Sequence, residues 1–303
     1  MTLPEDYLDY PARGYGMDNP YYGWDPADRR EKISLRSGAR AMATIVVPLE
    51  FFPLDPPARP FKHPGAMKTQ YPDLRHYTTR DYGNRVGVFR LLRAFAEHRI
   101  RATFAVNASV AERAPPLLEA IRAGGHEVAA HGVSTAHIHH EALAEDDERA
   151  LIAAARDAFP EAVTWMSPAR NESTRTLALL AEAGFGICLD WEADMRPLPM
   201  QTAKGDIIAL PHYNELSDMK LLVDRSQPED AWARQIICAA EDHILRHEAE
   251  GAGSLAFTMT PYVAGQPFRI AAVEAILEAL AGMDGLVVAP AREVANAFRE
   301  AVG

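Results

Sequence analysis

The stretch EVAAHGVSTAHIHH, residues 127–140, places four of the chain's eleven histidines, His131, His137, His139 and His140, directly after a short apolar run. Imidazole titrates near neutral pH and binds transition metals through a neutral ring nitrogen, so such a group can move protons or hold an ion. His131 ends the apolar run and precedes a glycine, which places it at the tip of a buried strand. His137 follows six residues on. The two cannot share a helix face, but on a loop both rings can converge on one ion. His139 and His140 read as rim packing ahead of an acidic helix start, EDDER. Glu50 lies inside VVPLEFFPLD, where a carboxylate is costly unless it is paired or ligates a metal; Asp55 is the less buried alternative. Glu50, His131 and His137 would supply three ligands and leave open the fourth position that a catalytic zinc site needs.

A second group is acidic. Asp190, Asp194, Glu215 and Asp218 gather near one rim, where like charges raise one another's pKa and tune a general base. Ion pairs with Arg170, Arg175, Arg196 and Lys220 are the structural alternative. Arg80, Asp81, Tyr82 and Arg85 precede a helix and can clamp a polar substrate, or serve only as a cap and surface ion pairs. Trp191 and Tyr262 stand next to strand ends, as platforms for a ring or as rim packing.

These residues must be held by something regular. Short apolar, β-branched segments at 43–52, 101–107, 127–132, 162–168, 186–191, 206–212, 254–260 and 284–290 alternate with amphipathic helical patterns. That rhythm predicts parallel strands joined by right-handed crossovers. Strand after strand ends in a polar group: Glu50, Asn107, His131, Ser167, Asp190, His212 and Thr260. So many convergent ends predict a ring around one pocket, hence a (β/α) barrel and not an open sheet. Residues 1–40, rich in Tyr, Pro, Gly and Asp, read as an irregular arm that packs its aromatics on a neighbour and suits an interface. Residues 41–303 form a single barrel domain, and 53–80 read as one long loop.

Composition narrows the function. A net charge of −11, spread along the 303 residues, argues against nucleic acid and anionic membrane as partners. There is no basic, apolar leader and no run long enough to span a bilayer, which predicts a cytoplasmic protein. Cys188 and Cys238 read as reduced core thiols. No glycine-rich phosphate loop follows any strand, so no nucleotide cofactor is expected.

Taken together, several stretches resemble one family. RATFAVNASVAERAPPLLEAIRAGGHEVAAHG is similar to the second and third strand–helix units of the polysaccharide deacetylases. MSPARNESTRTLALLAEAGF resembles their third motif, and DWEADMRPLPM, LPHYNELSDM, TPYVAGQPFRI and RDYGNRVGVFRLL resemble segments of the allantoinase-like and cyclic-imidase-like branch. The resemblance covers roughly residues 40 to 300. It implies a distorted (β/α)7-type barrel that hydrolyses a non-peptide C–N bond in an N-acetyl sugar, a ureide or a cyclic imide. It also implies a divalent metal, zinc by expectation, on one carboxylate and two histidines, and a homo-oligomer.

Carried over by position, Glu50 takes the strand-1 carboxylate place and His131 the first histidine. The second metal histidine falls on Thr135, with His137 the nearest substitute. The acid histidine falls on Thr260, and a later one on Phe268. A threonine hydroxyl cannot give up a proton at neutral pH, so His212 is the expected replacement acid, with Asp190 or Glu215 as base. Arg80, Tyr82, Arg85, Ser167, Trp191, Asp218, Thr260 and Tyr262 are the expected substrate contacts. Two other readings stay open. One is a degenerate barrel that binds a carbohydrate or ureide without turnover. The other is a metal-free hydrolase in which Arg and Tyr donors stabilise the oxyanion.

Overall fold

The computed structural model describes residues 14–54, 72 and 74–302. Its strands are β1 (Ala41–Leu49), β2 (Thr103–Val106), β3 (Glu127–Ala130), β4 (Thr164–Trp165), β5 (Ile187–Cys188), β6 (Leu198–Thr202), β7 (Gly205–Ala209), β8 (Gly253–Thr258) and β9 (Leu286–Val288). They lie in one sheet in the order β6-β7-β5-β4-β3-β2-β1-β8. Every pairing is parallel except β6 with β7. The alternating pattern thus forms the distorted barrel it predicts. β1 carries its heavy load along both edges. β8 pairs with Ala41–Val46, while β9 pairs with Ala41–Ala43 and β2 with Val46–Leu49.

The period of two along β1 separates two cores. Ala43, Ile45, Val47 and Leu49 face outward into a cluster with Phe95, Phe104, Trp232 and Ile276. Met42 and Val46 face the lumen, beside Ala105, Ala129, Met166, Leu189 and Leu210. The small alanines suit the narrow interior. The outer core is covered by α2 (Val88–Glu97), α4 (Pro115–Ala123), α5 (Glu145–Ala158), α7 (Glu229–Glu250) and α8 (Ile270–Gly282), with α1 (Leu74–Tyr82), α3 (Ala108–Arg113) and α6 (Thr176–Glu182) at shorter crossings. The last helix, α9 (Ala291–Val302), differs: its Val294, Ala295 and Phe298 join the lumen cluster and plug the base. None of the described helices is long and apolar enough to cross a membrane.

Among the described residues no strand ladder joins β6 to β8. The gap is crossed by single backbone bonds to β8 and its approach: Tyr213 N–H to the Ala256 carbonyl (2.9 Å), Ser254 N–H to Met195 (2.8 Å) and Ala252 N–H to Ile33 (2.8 Å). Ile33 belongs to the N-terminal arm, which therefore does structural work within its own chain. Tyr21 is buried, gives its hydroxyl to the Thr174 carbonyl (2.8 Å), and meets Trp191 edge-on at 5.6 Å. Tyr22 meets the same indole at 6.3 Å. Tyr21 and Tyr22 thus pack within their own chain, while Tyr15 and Trp24 stay exposed. Two expectations change. β6 was not foreseen, because a half-exposed edge strand with a proline lacks an apolar signature. The long loop foreseen at 53–80 runs into α1, which begins at Leu74; Asp55 lies outside the described residues.

A buried polar layer ties the base together. Glu127 accepts hydrogen bonds from the hydroxyls of Thr103 (2.9 Å) and Thr164 (2.6 Å) and from the backbone amide of Arg292 (3.0 Å). The Ala291 amide donates to Thr103 Oγ1 at 2.7 Å. One carboxylate thus joins β2, β3 and β4 to the positive N-terminus of α9. Replacing Glu127 with alanine strands these donors in the interior and should cost about 3 kcal/mol. Urea unfolding of Glu127→Ala measures it; a loss within experimental error of zero would show that α9 is held by packing alone.

Candidate active site

The residues that follow the strands form the mouth of the barrel, and backbone bonds set their height. The amide of Asn107 donates to the Leu49 carbonyl (3.0 Å), that of His131 to Val106 (2.9 Å), and that of Met166 to Ala130 (3.0 Å). The series continues with Leu189 to Trp165 and Leu210 to Cys188. Each strand is therefore continued by one residue past its end, and the next side chains emerge at a common level. They surround a cavity of about 690 Å³ lined by Glu50, His131, Asp190, His212, Thr260 and Tyr262, among others. That volume suits a small molecule.

Glu50 and His131 meet there, with Glu50 Oε1 3.6 Å from His131 Nε2. Nδ1 of the same ring lies 2.8 Å from the Met166 carbonyl, so Nδ1 carries a hydrogen and donates it. Nε2 is buried and has no hydrogen-bond partner. Asn107 steadies the pair from behind: its Oδ1 accepts the Phe51 amide (2.9 Å) and its amide group donates to the His131 carbonyl. Asn84 donates to the Glu50 carbonyl at 2.9 Å. Asn84 belongs to a widened helical turn, Gly83–Gly87, between α1 and α2. Gly87 is required there, because a Cβ would lie 2.0 Å from the Pro261 carbonyl oxygen. This close approach seats Tyr262 beside Glu50. Burial, helped by the Glu50 charge, pushes the Tyr262 phenol above its ordinary range, so it keeps its proton. Arg80 lies over the Phe52 ring at 4.4 Å and adjoins the Tyr262 hydroxyl.

The remaining expected residues divide. Asp190 faces the cavity and accepts the Ser167 amide on both oxygens, at 3.0 and 2.9 Å. Ser167 itself does not line the cavity; its hydroxyl accepts the Trp165 indole N–H at 2.8 Å. Thr260 lines it, clasped by Asp218, which accepts the Thr260 amide (2.6 Å) and hydroxyl (2.9 Å). His137 is exposed, with Nδ1 2.8 Å from Ser134 Oγ, and is not brought to the cavity. Glu215 is exposed and paired with Arg225. Arg85 pairs with Asp81 at the surface (2.7 Å), Tyr82 donates to the Gly265 carbonyl (3.2 Å), and Trp191 packs on the arm. Asp194 is tied to Arg30 of the arm.

His212 lines the cavity, with Nε2 2.7 Å from Thr258 Oγ1. Burial first, then the nearby Arg170 charge, push its pKa well below the ordinary value. The ring is therefore neutral at pH 7. Burial thus works against the protonated form that the expected acid role requires.

Residues 69–187 match the family model described as polysaccharide deacetylase. No curated protein sequence matches the chain. Solved structures do. A probable polysaccharide deacetylase from Pseudomonas aeruginosa PAO1 has a TM-score of 0.75 at 20% identity, covering 95% of this chain and 96% of that one. PuuE allantoinase gives 0.75 at 20%, covering 99% and 98%. A Mycobacterium smegmatis protein described as a polysaccharide deacetylase gives 0.73 at 22%, covering 89% and 94%. At these identities the likeness to the structures is one of fold.

The polysaccharide deacetylase pattern implies a metal, and the donors present can be tested against it. Glu50 and the bare Nε2 of His131 fit two positions. The third does not follow. Thr135 gives its hydroxyl to the Phe51 carbonyl at 3.0 Å, and His137 lies outside the cavity. Among the described residues, the one group of three such side chains whose ligand atoms converge is Glu172, Cys188 and Asp190, not the Glu50 set. The expected zinc site is thus short of its three protein ligands.

Arg170 and Glu192 are among the cavity residues that the sequence reading missed. Arg170 and Glu192 pair at 2.5 Å, and Arg170 also donates to the Asp190 carbonyl at 3.2 Å. Arg170 was considered only as a surface partner for the rim acids. The signal for a role in the cavity is conformational and invisible in composition: Ala169 and Arg170 take φ of 59° and 53°, a left-handed pair that turns the chain inward.

Asp218 offers a test of this wall. Burial raises its pKa from 3.8 to about 7, against the opposing effect of its hydrogen bonds from Thr260. The folded protein then holds this proton to higher pH than the unfolded chain. The contribution to stability is present below about pH 4 and is lost as pH rises through about 7. Asp218→Asn removes the titration, so the fall in stability between pH 4 and 7 should flatten, whatever the variant's absolute stability. Denaturation midpoints across that range measure it, and an unchanged slope would show that Asp218 is ionised throughout.

Proposed function

We propose that the chain is a hydrolase of a non-peptide C–N bond in a small molecule, with Glu50 as its general base and no resident metal in its mechanism. The observation that carries this reading is the Glu50–His131 pair facing the cavity, with the imidazole oriented by the Met166 carbonyl. A carboxylate so placed can take a proton from an attacking water. The water oxygen bonds to the carbonyl carbon, and the carbonyl oxygen becomes negative. The protonated Tyr262 phenol, beside Glu50, is the donor suited to that oxygen. When the C–N bond breaks, the nitrogen takes the proton that Glu50 received, leaving a carboxylic acid and an amine. The bare Nε2 of His131 faces Glu50 and can accept a hydrogen bond from the Glu50 carboxyl once it has taken the water's proton. The donor count at the expected metal site favours this metal-free route over metal-activated water.

The cavity and the comparisons support one substrate class. Carboxylates and the Arg170, Lys220 and Tyr262 donors share a space of about 690 Å³. Such walls suit compounds that alternate N–H and C=O groups. The match to the deacetylase model supports N-acetyl amides, and the allantoinase of matching fold supports ureides; cyclic imides complete the class. Cytoplasmic action on a free metabolite fits the same reading.

Purified protein offered N-acetyl sugars, ureides and cyclic imides should hydrolyse at least one class. Glu50→Gln should lower kcat by roughly 10²–10⁴-fold with the fold intact. Activity should survive chelator. Loss with chelator and recovery with added zinc would overturn the metal-free route. Failure of every class, with ligands still bound, would replace the hydrolase by a binding barrel.

A further inference from the structure

A second carboxyl group stands behind the Asp190 wall. Glu172, between β4 and α6, is absent from the cavity lining, yet its carboxyl oxygens, the Cys188 sulfur and the Asp190 carboxylate lie within 4.8 Å of one another. Glu172 Oε2 accepts the Trp191 indole N–H at 3.0 Å. The Cys188 sulfur is 3.3 Å from Glu172 Oε1 and 3.4 Å from Asp190 Oδ2. Asp190 also takes the Ser167 amide on both oxygens. Two half-buried carboxyl groups this close disfavour each other's ionisation. Burial, with the Asp190 charge next to it, holds Glu172 well above the carboxylate range. With its pKa raised, the Glu172 carboxyl can keep a proton to direct at Asp190, and the pair then needs no cation.

We propose that Glu172 is the positioning residue for Asp190: it bridges the Trp191 indole and the Asp190 carboxylate and holds that carboxylate in one orientation toward the N–H groups of the substrate. The substrate half of this statement rests on the hydrolase reading; the placement does not. Trp191 is itself fixed by the arm, through its edge contacts with Tyr21 and Tyr22. The neutral bridge explains why Asp190, four residues from Asp194 in sequence, has no arginine of its own: Arg170 reaches its backbone carbonyl, while its side chain is met by an amide, a thiol and a carboxylic acid.

The test compares Glu172→Gln, Glu172→Ala and Trp191→Phe in the full-length protein. A glutamine amide can still donate to Asp190 and accept from Trp191, so Glu172→Gln should stay within about 3-fold of the parent in kcat. Glu172→Ala should lower kcat by roughly 10–100-fold, with a smaller change in KM, and Trp191→Phe should fall between them. The second readout needs no substrate. In ¹H–¹⁵N spectra the Trp191 indole and Ser167 amide resonances, the former assigned by its loss in Trp191→Phe, should move in Glu172→Ala and return in Glu172→Gln. Parent-like kinetics and resonances in Glu172→Ala would overturn the proposal, as would a folded Glu172→Gln as impaired as Glu172→Ala. If no substrate class is turned over, the hydrolase reading fails, and the two resonances alone decide the placement.

Discussion

A parallel strand that stops leaves its last carbonyl without a partner, and the mouth of this barrel is organised by how that demand is met. The carbonyls of Leu49, Val106, Ala130, Trp165 and Cys188 each accept the amide of the residue just past the end of the neighbouring strand. Buried backbone groups are costly to leave unpaired, so the register is rigid. Glu50, His131, Ser167 and Asp190 follow these bonds by at most one residue. Their common height is a consequence of sheet hydrogen bonding and owes nothing to the side chains themselves.

The side chains add orientation, and most of it comes from neutral partners. Asn107 serves both Phe51 and His131, the Met166 carbonyl fixes the His131 ring, and the Ser167 amide receives Asp190. Glu192 is the exception, held by Arg170. The cavity therefore keeps charged groups on its surface without a matching cation for each. The strained turn at Ala169 and Arg170 is what brings a guanidinium to the wall, in addition to Lys220, and the rigid strand ends beneath it are what can sustain such a turn.

The architecture was legible because eight of the nine strands announce themselves as apolar, β-branched runs separated by helical patterns. β6 did not, since a half-exposed edge strand has no such signature. At the site, residues that end strands were placed well: Glu50, His131, Asp190, His212 and Thr260 share one cavity. Residues on loops were not. Histidine density suggested His137, but the turn at Ser134 directs that ring to solvent, and spacing along a chain carries no information about such turns. The charge states were also out of reach. His212 is neutral and Asp218 is raised because of burial on every side, a property of the assembled barrel.

The seam between β6 and β8 has a mechanical meaning. In a barrel closed by a full ladder, strand number and stagger together dictate the diameter, and the mouth can widen only if the whole sheet rearranges. Here the circuit is completed by isolated bonds from Ile33, Met195 and Tyr213, none of which belongs to a strand. Girth is then set by the length and conformation of three connecting segments. A few residues gained or lost in the arm, or after β5 or β7, would resize the mouth while the five-carbonyl register on the opposite side stayed as it is. The width of the mouth and the height of its polar residues are thereby assigned to different sides of the same ring, and each can change without the other.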